Sequence, residues 1–201
     1  TYDDAALPYD GMAYEVTATC TVDGHEASRD VMACDAAGNC TTETIVPTLS
    51  SASASITLTA TLEGRSNHAA THVVTFYQGD PLTVTDSISA TADATGSMTL
   101  GSLLPGTYTV TVKSDSYLAV AGNITLASGS NSLDLGELLA GDADGNNVVN
   151  IADLSILAGA YNSSSGDVNF DARADFNGDG TVNINDLSLL AGNYNQLGAS
   201  P

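Results

Sequence analysis

Two stretches near the C-terminus place Asp, Asn and Gly at matching positions of a twelve-residue pattern. The first is Asp142-Ala-Asp-Gly-Asn-Asn-Val-Val-Asn-Ile-Ala-Asp153, and the second is Asp175-Phe-Asn-Gly-Asp-Gly-Thr-Val-Asn-Ile-Asn-Asp186. Each runs into nearly the same apolar segment, Leu154-Ser-Ile-Leu-Ala-Gly or Leu187-Ser-Leu-Leu-Ala-Gly. Oxygen donors fall at positions 1, 3, 5, 9 and 12, and a backbone carbonyl is available at position 7. Ca²⁺ is a hard cation that takes about six to eight oxygens in loose geometry, and this array supplies them. In the first loop the donors are Asp142, Asp144, Asn146, the carbonyl of Val148, Asn150 (through water) and Asp153. In the second they are Asp175, Asn177, Asp179, the carbonyl of Thr181, Asn183 and Asp186. Two Ca²⁺ ions are expected, one per loop.

The elements around the donors follow from the same residues. Gly145 and Gly178 allow the turn after the third position, and Gly180 takes the sixth, where a positive φ is favoured. Asn147 stands at that place in the first loop, and Asn tolerates the left-handed region better than most residues. Asp153 and Asp186 occupy the twelfth position, where a bidentate Glu is usual, so the following helix must approach the ion more closely. The stretch before Asp142 reads as strands and turns, so the units are loop-helix halves. Three carboxylates crowd each loop and repel without a metal, so the segment is expected to fold poorly in chelator.

A helical projection from Ile151 groups Leu154, Leu157, Ala158 and Tyr161 on one side, and Leu187, Leu190, Ala191 and Tyr194 repeat that stripe. The stripes are expected to pack the two helices together. Ile156 and Leu189 fall roughly opposite and are expected to point outward as part of a binding face.

These loops, Asp-x-Asp-Gly-Asn-Asn-Val-Val-Asn-x-x-Asp-Leu and Asp-x-Asn-Gly-Asp-Gly-Thr-Val-Asn-x-x-Asp-Leu, resemble the two calcium repeats of a dockerin module, over about Gly141 to Leu197. The resemblance implies a small, calcium-folded adaptor that docks to a protein partner, a cohesin-like module on a scaffold or cell surface. In cellulosomal dockerins the tenth and eleventh loop positions, often Ser-Thr, help choose the partner. Here they hold Ile151-Ala152 and Ile184-Asn185, and Gly159-Ala160 and Gly192-Asn193 stand where basic residues often follow. A more apolar, non-cellulosomal contact through Ile151, Ala152, Ile156, Ile184, Asn185 and Leu189 is the expectation, with either helix able to serve.

The rest of the chain is Thr-, Val-, Ser- and Gly-rich. Seven short strands are expected between Ile56 and Leu135, at Ile56–Leu62, Thr71–Tyr77, Leu82–Ala92, Ser97–Leu100, Thr107–Val112, Leu118–Leu126 and Ser132–Leu135. That pattern is a β-sandwich. Within it Leu104-Pro-Gly-Thr-Tyr108 resembles the carboxypeptidase regulatory-like (prealbumin-like) family, whose members are usually structural spacers. Upstream, Tyr14, Val16, Ala18, Cys20 and Val22 alternate with polar residues as a half-buried strand. Strands at about Glu26–Cys34 and Cys40–Val46 flank Asp35-Ala-Ala-Gly-Asn39, which resembles the final hairpin of bacterial immunoglobulin-like domains. Cys34 and Cys40 could close that hairpin; Cys20 is then a core thiol, and its pairing with either, or between molecules, stays open.

The expected organisation is therefore mainly β. A partial immunoglobulin-like segment (1–46) and a linker (47–55) lead into a carboxypeptidase regulatory-like β-sandwich (56–140). A small all-α dockerin-like domain with two calcium loop-helix repeats (141–201) follows.

Charge narrows the function. The chain has 201 residues, with 24 acidic residues against four basic ones, Arg29, Arg65, Lys113 and Arg173, for a net charge of −20. Nucleic-acid binding is excluded, because phosphate contact needs Lys and Arg. Acidity of this kind suits a calcium-rich extracellular setting. No run of about 18 apolar residues occurs, so membrane insertion is not expected. The start at Thr1 reads as a processed or trimmed product. His68 and His72 sit at a loop-to-strand entry where spacing by four does not align them, and no nucleophile elbow or phosphate loop is present. The reading is a secreted, non-catalytic calcium-binding docking array. The rival is a structural subunit of an extracellular filament or surface layer, a homopolymer joined head to tail to a neighbouring subunit and stabilised by calcium.

Overall fold

The computed structural model describes residues 29–34, 40–45 and 53–200. The chain forms two compact units, Thr1–Ser51 and Ala52–Pro201. In the first, β1 (Arg29–Cys34) and β2 (Cys40–Ile45) form an antiparallel hairpin whose register sets Cys34 opposite Cys40. The expected strand through Cys20 and the turn at 35–39 lie outside the described residues.

The second unit begins with seven strands in two sheets. They are β3 (Ala54–Leu62), β4 (Thr71–Gln78), β5 (Thr83–Thr91), β6 (Ser97–Leu103), β7 (Gly106–Ser114), β9 (Val120–Leu126) and β10 (Gly129–Leu138). One sheet has the order β10-β3-β6 and the other β5-β4-β7-β9. All seven expected strands are present. The strict alternation of β3 explains its place. Ala54, Ile56, Leu58, Ala60 and Leu62 point into the core, and the intervening Ser and Thr residues face out. Val74 and Phe76 of β4 and Tyr108, Val110 and Val112 of β7 meet them from the opposite sheet. Each fully buried Val, Leu, Ile or Phe among them contributes about 1.5–3 kcal/mol by leaving water.

The Leu-Pro-Gly-Thr-Tyr element has a clear local logic. Tyr108 is buried edge-on against Phe76, with ring centroids 5.7 Å apart, and its hydroxyl donates to the carbonyl of Leu104 at 2.9 Å. The aromatic ring thus fills the core while its polar tip pins the preceding turn. His72 is fully buried in β4, where burial pushes its pKa down, and His68 accepts the Leu62 N–H at 3.0 Å through Nδ1.

Two short strands carry the chain out of the sandwich. β8 (Ser116–Tyr117) pairs antiparallel with β11 (Ala140–Asp142), and Asp142 is already the first residue of the first loop. The C-terminal part then contains α1 (Ile151–Ala160), β12 (Ser163–Ser164), β13 (Thr181–Val182) and α2 (Ile184–Gly192). No helix among the described residues is long and apolar enough to cross a membrane.

Candidate metal-binding loops

Each loop is folded by its own side chains. Asn150 caps α1 by accepting the Ala152 N–H at 2.7 Å, and Asp153 reaches back to the Asn150 N–H at 2.8 Å. Asn183 and Asp186 do the same for α2, at 2.8 and 2.9 Å. These are capping boxes built from residues expected as cation donors, so helix start and candidate metal site share residues. The twelfth-position carboxylates also accept from loop amides, Asp153 from Asp144 at 3.0 Å and Asp186 from Phe176 at 2.9 Å. Both are fully buried. The short Asp arm therefore brings helix and loop together, as its length requires.

The repeats close on each other with pseudo-two-fold symmetry. Asn162, just after α1, donates its N–H to Val182 of the second loop at 2.8 Å, and Asn195, just after α2, donates to Val149 of the first at 2.8 Å. Both asparagines have positive φ, 60° and 66°. Val149 and Val182 are fully buried, and so, between the helices, are Leu157 and Leu190. Along α1 and α2 the sequence of buried, half-buried and exposed positions is identical.

That common pattern corrects the helical projection. Leu157 and Leu190 are core and Leu154 and Leu187 are half-buried, but Ala158, Ala191, Tyr161 and Tyr194 are exposed. The helices end at Ala160 and Gly192, so a stripe extrapolated to the tyrosines runs off the helix. Ile156 and Leu189, expected to point outward, are half-buried and pack against the core. A Cβ added at Gly64 of the sandwich would lie 2.6 Å from Leu189 Cδ1, which shows how closely the two meet. The exposed large aliphatics of the two helices are instead Ile151 (63%) and Ile184 (59%), with Ala152, Asn185, Ser155 and Ser188 beside them.

The carboxylates of the first loop are gathered closely enough to hold a cation. Asp142, Asp144 and Asp153 each offer an oxygen, and these lie within 4.8 Å of one another. Asp142 is fully buried; its Oδ2 accepts the Asn147 N–H at 2.9 Å, whereas its Oδ1 has no hydrogen-bond partner among the described residues. A buried carboxylate oxygen without a donor is costly, and a cation would satisfy it. The residues present therefore fit Ca²⁺. Asn146 and the carbonyl of Val148 stand at the fifth and seventh positions, and Asn150 at the ninth; the Asn146 side chain accepts the Val148 N–H at 2.9 Å.

In the second loop the charges are arranged differently. Asp175 accepts three backbone N–H groups, from Gly178 (3.0 Å), Asp179 (3.2 Å) and Gly180 (3.0 Å). Burial pushes its pKa up, and the nearby Asp186 adds to that. Asp179 is exposed and held by its neighbours, Thr181 Oγ1 at 2.6 Å and Asn177 Nδ2 at 2.9 Å, and the Thr181 bond leads in holding its pKa down. Asn183 Nδ2 donates to Thr181 Oγ1 at 2.8 Å.

The loops also rest on the sandwich, which the loop pattern alone does not reveal. Arg65 donates through Nε to the Tyr117 hydroxyl (2.8 Å) and to the Phe176 carbonyl at position 2 of the second loop (3.0 Å). Its guanidinium also lies over the Tyr117 ring, 5.5 Å from the centroid. The Tyr117 hydroxyl donates to the same Phe176 carbonyl. Lys113 Nζ pairs with Asp142 Oδ2 at 2.9 Å. Asn147 adopts φ 69°, as expected for the glycine-like position, but its side chain does more. It accepts the Ala119 N–H of the sandwich at 2.8 Å and donates to the Ala199 carbonyl at 3.0 Å. Asn193 Nδ2 donates to Glu63 Oε2 at 2.5 Å and to the Ala140 carbonyl at 2.9 Å. The Asn147-for-Gly departure was the visible signal of this seat; Lys113, Arg65 and Asn193 carried none.

Comparison with known proteins agrees with this geometry. Residues 140–193 match the dockerin type I domain. No curated protein sequence matches the chain. Two solved structures of interface mutants of a type II cohesin–X–dockerin complex from Acetivibrio cellulolyticus are similar in fold. The first has a TM-score of 0.60 at 21% identity, covering 72% of this chain and 97% of that chain. The second has a TM-score of 0.59 at 20% identity with the same coverage. That likeness extends beyond residues 140–193 and so takes in the sandwich. The C-terminal part of this chain, residues 140–193, is a dockerin-type module seated on a seven-stranded β-sandwich.

Proposed function

We propose that the chain is a non-catalytic, calcium-dependent docking module that works outside the cell. The observation that carries this reading is the pair of symmetry-related loops, one with three gathered carboxylates and a buried, unpartnered Asp142 Oδ1. Two Ca²⁺ ions, one per loop, neutralise the carboxylates and hold the helices in place. When bound, the ions supply structural charge and no reaction chemistry. The paired faces headed by Ile151-Ala152 and Ile184-Asn185 then meet a protein partner of cohesin type, while Ile156 and Leu189, half-buried against the core, help hold the helices that carry them. Exposed aliphatics at equivalent places on two helices suit a binding face, because water leaves them on contact. The sandwich acts as the spacer that presents the module.

The test is capture of the full chain by cohesin-type domains in Ca²⁺ and in chelator. Calcium-dependent capture is expected; equal capture in both would sink the mechanism. Sedimentation in Ca²⁺ at high concentration separates this from the head-to-tail filament subunit, which must polymerise.

A further inference from the structure

The chain has four basic residues, and two of them leave the sandwich to touch the loops. Their contacts are unlike. Arg65 meets the second loop at a backbone carbonyl, outside its donor set. Lys113 meets the first loop at Asp142, a member of the donor set. Lys113 lies at the end of β7 and also donates to the carbonyls of Ser114 (2.9 Å) and Tyr117 (2.5 Å). Those bonds fix the ammonium against the fully buried Asp142 carboxylate. In the second loop the equivalent Asp175 is served by three backbone amides and, among the described residues, by no side-chain cation. The repeats match in helix, cap and burial but differ in who neutralises the first ligand.

We propose that Lys113 is a built-in counter-ion for the first ligand of the first loop, making the two loops unequal cation sites. This rests on the calcium reading above. The ammonium satisfies Oδ2 and leaves Oδ1 without a hydrogen-bond partner among the described residues, so the sandwich holds Asp142 beside Asp144 and Asp153 when no metal is bound. The same positive charge opposes a divalent cation in that loop. Lys113 therefore stabilises the metal-free fold and weakens the first site, an antagonism the second loop lacks. At the effective dielectric of a partly buried site, one such charge is worth about tenfold in affinity.

The experiment compares the full-length wild type with Lys113→Met, which keeps the stem and removes the charge, and with Lys113→Arg, which keeps the charge. Thermal melts are run in chelator and in saturating Ca²⁺. In chelator, Lys113→Met is expected to melt about 5 °C or more below wild type, because a buried carboxylate loses its partner. In Ca²⁺ that gap closes, and calorimetry shows one of two sites tightened about tenfold. Lys113→Arg stays near wild type in both. An equal melting deficit with and without Ca²⁺, or unchanged calcium affinities in Lys113→Met, would overturn the counter-ion role and leave Lys113 a packing residue. No calcium binding by wild type would instead overturn the calcium reading on which the proposal stands.

Discussion

The first and second loop-helix repeats are one design in two surroundings. Their cap bonds agree to 0.1 Å, at 2.7 and 2.8 Å for Asn150 and Asn183 and 2.8 and 2.9 Å for Asp153 and Asp186. Their helices share one burial pattern. What separates them is the sandwich. It meets the first repeat through Lys113 and Ala119, and the second through Gly64, Arg65 and Glu63. The small differences in sequence fall where it matters. Asn147 replaces the sixth-position glycine on the side that reaches Ala119, and Asn193 stands where the first repeat has Ala160, on the side that reaches Glu63. A duplicated unit keeps its internal chemistry and diverges where an asymmetric neighbour touches it.

Chelator should loosen both repeats at once. Removing Ca²⁺ is expected to lower the signal of α1 and α2 in far-ultraviolet circular dichroism part-way, with the Lys113–Asp142 pair holding what remains, while hydrogen exchange in β3, β4 and β7 stays slow. Each site contributes about 4 kcal/mol when Ca²⁺ exceeds its Kd about 1,000-fold. Loss of sandwich protection together with the helices would mean the two parts fold only as one.

Core truncation should hit the repeats equally. Leu157→Ala and Leu190→Ala each delete a fully buried side chain and should each cost about 2–5 kcal/mol in urea unfolding. Unequal costs would show that the sandwich supports one helix more than symmetry implies.

Seat residues should sharpen the asymmetry. Tyr117→Phe removes the hydroxyl shared by Arg65 and the Phe176 carbonyl, and Asn193→Ala removes the donor to Glu63 and Ala140. Each should cost about 1–3 kcal/mol and loosen the second repeat first, read as faster exchange in α2 than in α1. Equal loosening would place the seat elsewhere.

The smallest effect on stability belongs to the outer face. Ile151→Asp and Ile184→Asp alter exposed positions and should change unfolding by no more than about 0.5 kcal/mol, yet both together should abolish partner capture. Intact capture by the double variant would move the binding face.

Much of this was legible in residue order. Alternation of apolar and hydroxyl residues from Ile56 to Leu62 forces one face inward, so the sandwich strands could be read directly. Spacing in a twelve-residue loop is local, so the gathering of Asp142, Asp144 and Asp153 could be read too. The helix faces were less legible. Tyr161 and Tyr194 lie past the helix ends, where rotation by residue no longer holds, and Leu189 is covered by Gly64, more than 120 residues away in the chain. Lys113 was legible as a charge and not as a ligand partner, because its contact with Asp142 depends on how β7 and β11 are brought together through β8. Local chemistry is written in spacing; the seat of one domain on another is written only in three dimensions.

The most direct test is a calcium titration of the full chain after chelator treatment, followed by calorimetry and by the helical signal together. The account predicts two ions bound per chain, with helix signal rising as they bind. No uptake, or uptake that leaves the helix signal unchanged, would contradict it.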